Sequence, residues 1–211
     1  MNREYRRHLP HQVPADTPIF LTWNLKGALP ADVRQRLQDE RRRLAAEPPR
    51  PGESVADRAL RIGKIVFGRC DTYLDTATAG PLHLQDPVAA KVVEDAIRFE
   101  TTVRHLLYAW CIMANHVHVL LKPLWDLCRI TQSIKGFTAR RINEHRQTAG
   151  TVFWQDESYD HWVRGDEEMH RIIRYIEQNP VTAGLCATPE QWPWSSARFR
   201  QNWHAGQAFE P

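Results

Sequence analysis

Residues 103–121, VRHLLYAWCIMANHVHVLL, decide the fold. Residues 103–113 form an apolar, aromatic run of strand length and predict a buried strand. Ala114-Asn115 makes a tight link, and residues 116–121 (HVHVLL) predict a second strand, antiparallel to the first. Side chains alternate across a strand, so His116 and His118 share one face while Val117 and Val119 take the other. Two neighbouring imidazoles are candidate ligands for a divalent cation. The same triplet also reads as two half-exposed histidines on a strand edge. A cation needs at least one more ligand.

Outward from this centre, residues 17–25 (TPIFLTWNL) are β-branched and aromatic and predict a strand. Residues 32–46 are charged and helix-favouring, the proline-rich 47–53 (EPPRPGE) breaks the chain, and a second helix is expected from Ser54 to about Phe67. Gly80-Pro81 marks a turn. Asp86-Pro87 opens a helix to about Phe99, with Val88, Val92, Val93, Ala96 and Ile97 as its apolar stripe. Residues 126–145 predict a helix through Leu127, Ile130, Ile134 and Phe137. Residues 151–154 and 158–163 are short strand candidates. Residues 166–179 predict a helix whose first turn carries Asp166, Glu167 and Glu168, where the helix dipole favours acids, with Pro180 as its stop. The pattern implies an α+β fold, an antiparallel sheet with helices on one of its faces.

The chain has 211 residues, 42% hydrophobic and 25% charged, which is ordinary globular composition. The longest apolar run, residues 106–114, is far short of the ~20 residues of a membrane span, and the basic start MNREYRRHLPHQ lacks the apolar stretch of a signal peptide. Cys70, Cys111, Cys128 and Cys186 form no CxxC pair, which argues against a zinc ribbon or a disulfide framework and fits a reducing cytoplasm. The net charge is only +3, but arginine greatly outnumbers the five lysines. Arginine's planar fork suits phosphate; a GC-rich coding sequence gives the same bias.

A second constellation is Tyr175-Ile176-Glu177-Gln178-Asn179. Tyr175 and Asn179 are four apart and share a helix face. Tyr175 lies at the polar border of the stripe Met169, Ile172, Ile173, Ile176, so an amphipathic interface tyrosine is the plainer reading. Joined to the histidines, the pattern gains a chemistry. His116, His118 and the amide of Asn179 would hold a cation that polarises a phosphodiester, and Tyr175 would attack phosphorus and conserve the bond energy in a covalent phosphotyrosine.

The ordered set MANHVHVLL (113–121), IKGFTARRIN (134–143), FWQDESYDHWVR (153–164), RIIRYIEQNPVTAGL (171–185) and WPWSSA (192–197) closely resembles the REP-associated tyrosine transposases, relatives of the single-tyrosine HUH transposases of insertion sequences. The resemblance is close over residues 110–197 and looser over 19–99. It implies a ferredoxin-like or RRM-like antiparallel sheet flanked by helices, with the histidines on a central strand. It implies cleavage and transfer of single-stranded DNA at hairpins of repeated extragenic palindromes, through a 5′-phosphotyrosine and a free 3′-hydroxyl. His116, His118 and Asn179 match the metal ligands, with magnesium or manganese as the metal, and Tyr175 matches the nucleophile. Insertion-sequence relatives usually carry Gln at the Asn179 position, while Gln178 here lies on another helix face. Residues 17–185 would form the transposase domain, 1–16 a basic arm and 186–211 a tail. A monomer or homodimer in the cytoplasm, at the nucleoid, is expected.

Tyr159, near His161, is the rival nucleophile but has no metal-ligand partner on its own element. Tyr108 reads as core, and His105, His145, His161 and His170 as surface or capping residues. Lys135, Arg140 and Arg141 are candidates for backbone phosphates. Trp154, Trp162 and Arg164 are candidates for holding unpaired bases. Residues 198–203 (RFRQNW) would be an arm over the hairpin. Two other functions fit the pattern: a non-catalytic hairpin-binding protein, and a phosphodiesterase using metal-bound water.

Overall fold

The computed structural model describes residues 16–76, 80–99, 101–200 and 207–209. The basic arm before residue 16 and residues 201–203 of the expected C-terminal arm lie outside the described residues. The element order is β1 (Ile19–Asn24), α1 (Ala31–Ala46), α2 (Val55–Thr76), α3 (Pro87–Arg98), β2 (His105–Ile112), β3 (His116–Pro123), α4 (Leu127–His145), β4 (Tyr159–Trp162) and α5 (Asp166–Thr182). The four strands form one antiparallel sheet in the order β2-β3-β1-β4. This is the expected α+β architecture.

The alternation read from HVHVLL divides the core in two. Val117, Val119 and Leu121 join Ile19, Leu21 and Trp23 of β1 on one face, covered by α3 and α4 through Val93, Ile97, Ile130, Ile134 and Ile142. His116, His118 and Leu120 point to the other face with Phe20 and Thr22. There Met169, Ile173 and Ile176 of α5 pack on Phe20, Ala109, Cys111 and Leu120. Ile173 and Ile176 are fully covered, and each such side chain contributes about 1.5–3 kcal/mol. Helices therefore cover both faces, not one. A sheet with apolar residues on both sides has no face to leave in water.

A β-bulge between Leu107 and Ala109 inserts Tyr108 as an extra residue in β2. Tyr108 is buried, as expected of a core residue. The expected strand at 151–154 is only a single bridge between Leu25 and Trp154. Helix α5 does not stop at Pro180. That residue lies inside the last turn, and the stop comes at Gly184, whose φ is 72°. The Gly184 N–H bonds to the Val181 carbonyl and the Leu185 N–H to the Pro180 carbonyl, a Schellman closure that needs the left-handed residue.

Helix α2 is longer than expected, reaching Thr76 rather than Phe67. Its partners on α5 share one offset: Lys64–Glu168, Tyr175–Asp71 and Asn179–Asp75 are each 104 residues apart. The two helices therefore run parallel and side by side. After α5, the Ile112 N–H bonds to the Trp194 carbonyl at 2.9 Å, so the chain past Trp192 lies against β2. Among the described residues, no helix is long and apolar enough to cross a membrane.

Candidate metal centre and nucleophile

His116 and His118 sit on the central strand β3, beside Asn24 and Thr22 of β1, with both rings fully buried. Each Nδ1 has a partner. His116 Nδ1 lies 2.6 Å from Asn115 Oδ1, and Asn115 is itself oriented by donating Nδ2 to the Leu74 carbonyl at 3.0 Å. His118 Nδ1 lies 2.7 Å from Thr22 Oγ1. With Nδ1–H donating in both rings, the two Nε2 lone pairs face each other, 3.0 Å apart. Such outer hydrogen bonds set the tautomer that a metal-binding imidazole needs. Burial lowers the pKa of both rings to about 3, so both are neutral at neutral pH.

Two carboxylates from α2, which sequence reasoning missed, complete the cluster. Asp71 Oδ1 lies 3.4 Å from His118 Nε2 and 3.8 Å from His116 Nε2; Asp75 Oδ1 lies 3.4 Å from His116 Nε2. Asp71, His116 and His118 each present one ligand atom within 4.8 Å of the others. Cation-bound donors are normally about 3–4.5 Å apart. Burial raises the pKa of Asp71, and burial with the neighbouring Asp71 charge raises that of Asp75 to about 7. Asp71 Oδ1, Asp75 Oδ1 and Asn179 Oδ1 are buried without a hydrogen-bond partner. Orphaned oxygens facing imidazole lone pairs are a donor set that fits a divalent cation.

Tyr175 and Asn179, one turn apart on α5, both reach this cluster. The Tyr175 hydroxyl donates to Asp71 Oδ2, and its ring lies 5.7 Å from that of His118. Asn179 Nδ2 lies 3.4 Å from Asp75 Oδ2, which leaves its Oδ1 as a donor atom for a cation. Burial, then the Asp71 charge, push the Tyr175 phenol well above its usual pKa. Tyr159 lies on the same side of the sheet but stacks on Phe67 at 3.9 Å and has neither histidine as a ring neighbour.

The nucleic-acid candidates scatter. Helix α4 packs on the face opposite the histidines, so Lys135, Arg140 and Arg141 are not part of the histidine cluster. Lys135 donates to the carbonyls of Gln155 and Asp156, which ties α4 to that loop, while Arg140 is exposed and Arg141 pairs with Glu144. Trp154 is a correction. It is buried against Trp23 and Phe153 and donates its indole N–H to Thr138, so it is core and offers no face to a base. Trp162, partly exposed on the edge strand β4, carries the Arg164 guanidinium 4.5 Å above its ring. Arg198 is held by Glu94 and Arg200 by Glu177, so the described start of the expected arm is fixed to the fold. His105 bonds the Ile97 carbonyl inside the fold, while His145 and His161 pair with Asp86 and Glu168.

Residues 83–179 match the transposase family described as IS200-like. A protein of Haemophilus influenzae assigned to the REP-associated tyrosine transposases is 31% identical over 99 residues, which is 42% of this chain and 56% of that protein. The chain thus spans little more than half the length of this curated relative. A solved structure of a REP-associated tyrosine transposase bound to a REP hairpin superposes with a TM-score of 0.53 at 17% identity, covering 99% of this chain and 93% of that one. That likeness bears on the fold. Over residues 83–179 the chain is similar to the IS200-like transposases. It is similar in sequence to a REP-associated tyrosine transposase over 99 residues, and in fold to the solved one.

Proposed function

We propose that this protein is a metal-dependent nickase and strand transferase for single-stranded DNA, acting at palindromic-repeat hairpins through a covalent 5′-phosphotyrosine. The observation that carries the reading is the convergence of Tyr175, His116, His118 and Asn179 on one cluster of imidazole nitrogens and buried, unpartnered oxygens. Its solved neighbour is a transposase bound to a REP hairpin, and this supports the same kind of partner here.

His116, His118 and Asn179 would hold magnesium or manganese, with Asp71 within reach of the same ion. The ion supplies positive charge to the scissile phosphate and to the phenol. Tyr175 Oη attacks phosphorus as its proton passes to Asp71 Oδ2, the bond from phosphorus to the 3′ oxygen breaks, that oxygen takes a proton from water to become the free hydroxyl, and the new ester keeps the energy needed for rejoining. The phenolic proton is already directed at Asp71 Oδ2. Carrying Tyr175 and Asn179 on one helix fixes the nucleophile relative to the ligand set. Trp162 and Arg164 offer a stacked, cationic edge for an unpaired base, and exposed Arg140 and Arg141 offer charge to the phosphate backbone at a distance from the cluster.

The test is covalent trapping with manganese and end-labelled single-stranded hairpins from repeats flanking the protein's own gene. A detergent-resistant adduct should form with wild type and Tyr159→Phe and vanish with Tyr175→Phe. Cleavage without an adduct would replace this reading with the metal-water phosphodiesterase. Binding without cleavage would replace it with the hairpin-binding protein.

A further inference from the structure

We propose that Asp71 and Asp75 are ligands of the same cation as His116 and His118, and that the cation clamps α2 onto the catalytic sheet. The inference rests on the metal half of the proposed function and extends it to a helix outside the segment matched to the transposase family, which begins at residue 83.

Three observations carry it. First, the helix register is specific. The shared offset of 104 residues places Asp71 opposite Tyr175 and Asp75 opposite Asn179. The spacing of four keeps both carboxylates on one face of α2. Second, the cluster has acceptors but too few donors. Asp71 Oδ1, Asp75 Oδ1 and Asn179 Oδ1 are buried and unpartnered, and Asp71 and Asn179 are only 2% and 3% exposed. Their nearest polar neighbours across the cluster include the two imidazole Nε2 atoms, whose protons the Nδ1 bonds place on the far side of each ring. Each carboxylate has a neutral partner on Oδ2 and none on Oδ1; buried carboxylate charge without a countercharge is strongly unfavourable, and a divalent cation compensates both. Third, the donors come from three elements: two oxygens from α2, two nitrogens from β3 and one oxygen from α5. A mixed set rich in carboxylate oxygen suits manganese or magnesium better than a softer metal. The two negative charges neutralise the ion, so it would be retained without DNA.

One carboxylate then has two tasks. Asp71 turns Oδ1 toward the histidines and holds the Tyr175 hydroxyl with Oδ2, which makes it a positioning residue for the nucleophile. Beyond this cluster α2 is held by the Phe67 stack on Tyr159 and the Lys64–Glu168 pair, and its C-terminal half by buried Leu74 and the Asn115 bond to the Leu74 carbonyl. The cation would add to these contacts and tighten that half further.

The experiment is Mn²⁺ titration calorimetry on the full chain, paired with hydrogen exchange of α2 peptides. It compares wild type, Asp71→Asn, Asp75→Asn, His118→Ala and, as a remote control, Asp95→Asn. Loss of a ligand should weaken Mn²⁺ binding at least tenfold in both α2 variants and leave the control unchanged. Mn²⁺ should slow exchange at the C-terminal end of α2 in wild type and not in Asp71→Asn. Both Asn variants remove a buried charge, so their metal-free melting temperatures should equal or exceed that of wild type, with a smaller rise on adding Mn²⁺. If both bind Mn²⁺ within twofold of wild type while His118→Ala does not, the carboxylates are not ligands and this inference fails alone. If wild type binds no Mn²⁺, the metal reading itself fails and takes this inference with it.

Discussion

Replacing Glu94 by alanine should unfasten the C-terminal segment from the sheet. Glu94 is fully buried on α3. It accepts the Trp110 indole N–H at 3.2 Å and Arg198 Nη2 at 2.7 and 2.8 Å on its two oxygens. Alanine leaves the indole without this acceptor, which costs about 1–3 kcal/mol. Breaking a fully buried ion pair costs about 3–5 kcal/mol, but the Arg198 side chain is 32% exposed and water recovers part of its loss. The expected total is about 3 kcal/mol. For a chain of this size each kcal/mol lowers Tm by about 2–4 °C, so Tm should fall by about 6–12 °C. Urea unfolding should show a lower midpoint with an unchanged slope, and limited proteolysis should cut sooner within residues 192–200. Glu94→Gln keeps an acceptor and should lose roughly half as much. A loss under about 1 kcal/mol for Glu94→Ala, with that segment still protected, would refute the claim that this pair anchors it.

Acid sensitivity should map to Glu168. Burial opposes its ionisation, but bonds from Lys64, the Arg164 N–H and His161 prevail and hold its pKa at about 2. A lowered carboxylate pKa stabilises the fold above the usual value, and this contribution is lost as pH falls from about 4.5 to about 2; Glu168→Gln should flatten stability measured over that window. Gly184→Ala places a Cβ at φ 72° and should cost about 1 kcal/mol in a denaturant titration. Trp162→Ala should weaken binding of a single-stranded oligonucleotide by about 1–3 kcal/mol in fluorescence anisotropy, with little change in Tm. Trp154→Ala should instead lower stability by about 3–5 kcal/mol, measured by urea unfolding, because that ring is core.

The readable parts of the sequence were those where periodicity and burial agree. The VRHLLYAWCIM and HVHVLL runs give β2 and β3, and the alternation in HVHVLL puts both histidines on one side. Helix spacing puts Tyr175 and Asn179 on one face, but by itself it reads as an interface tyrosine; the family resemblance is what singles the pair out. The α2 carboxylates were hidden for a physical reason. Asp71 and Asp75 look like the solvated acids of any helix, and only the parallel docking of α2 on α5 brings them to the histidines. Trp154 shows the reverse error. An aromatic beside charged residues reads alike whether it faces water or core, and here its bridge to Leu25 turns it inward. Pro180 marked the end of α5 too early, because a proline can ride in a last turn that a glycine closes.

The central claim is that Tyr175 becomes covalently joined to DNA. The direct measurement is mass spectrometry of the trapped adduct after nuclease trimming and trypsin. Cleavage after Arg174 and Arg198 releases a peptide, residues 175–198, with Tyr175 as its single tyrosine, while Tyr159 falls in the separate peptide 147–164. The account predicts the nucleotide mass on 175–198, at Tyr175, and its absence from Tyr175→Phe. The same mass on 147–164 would contradict it and move the nucleophile to Tyr159.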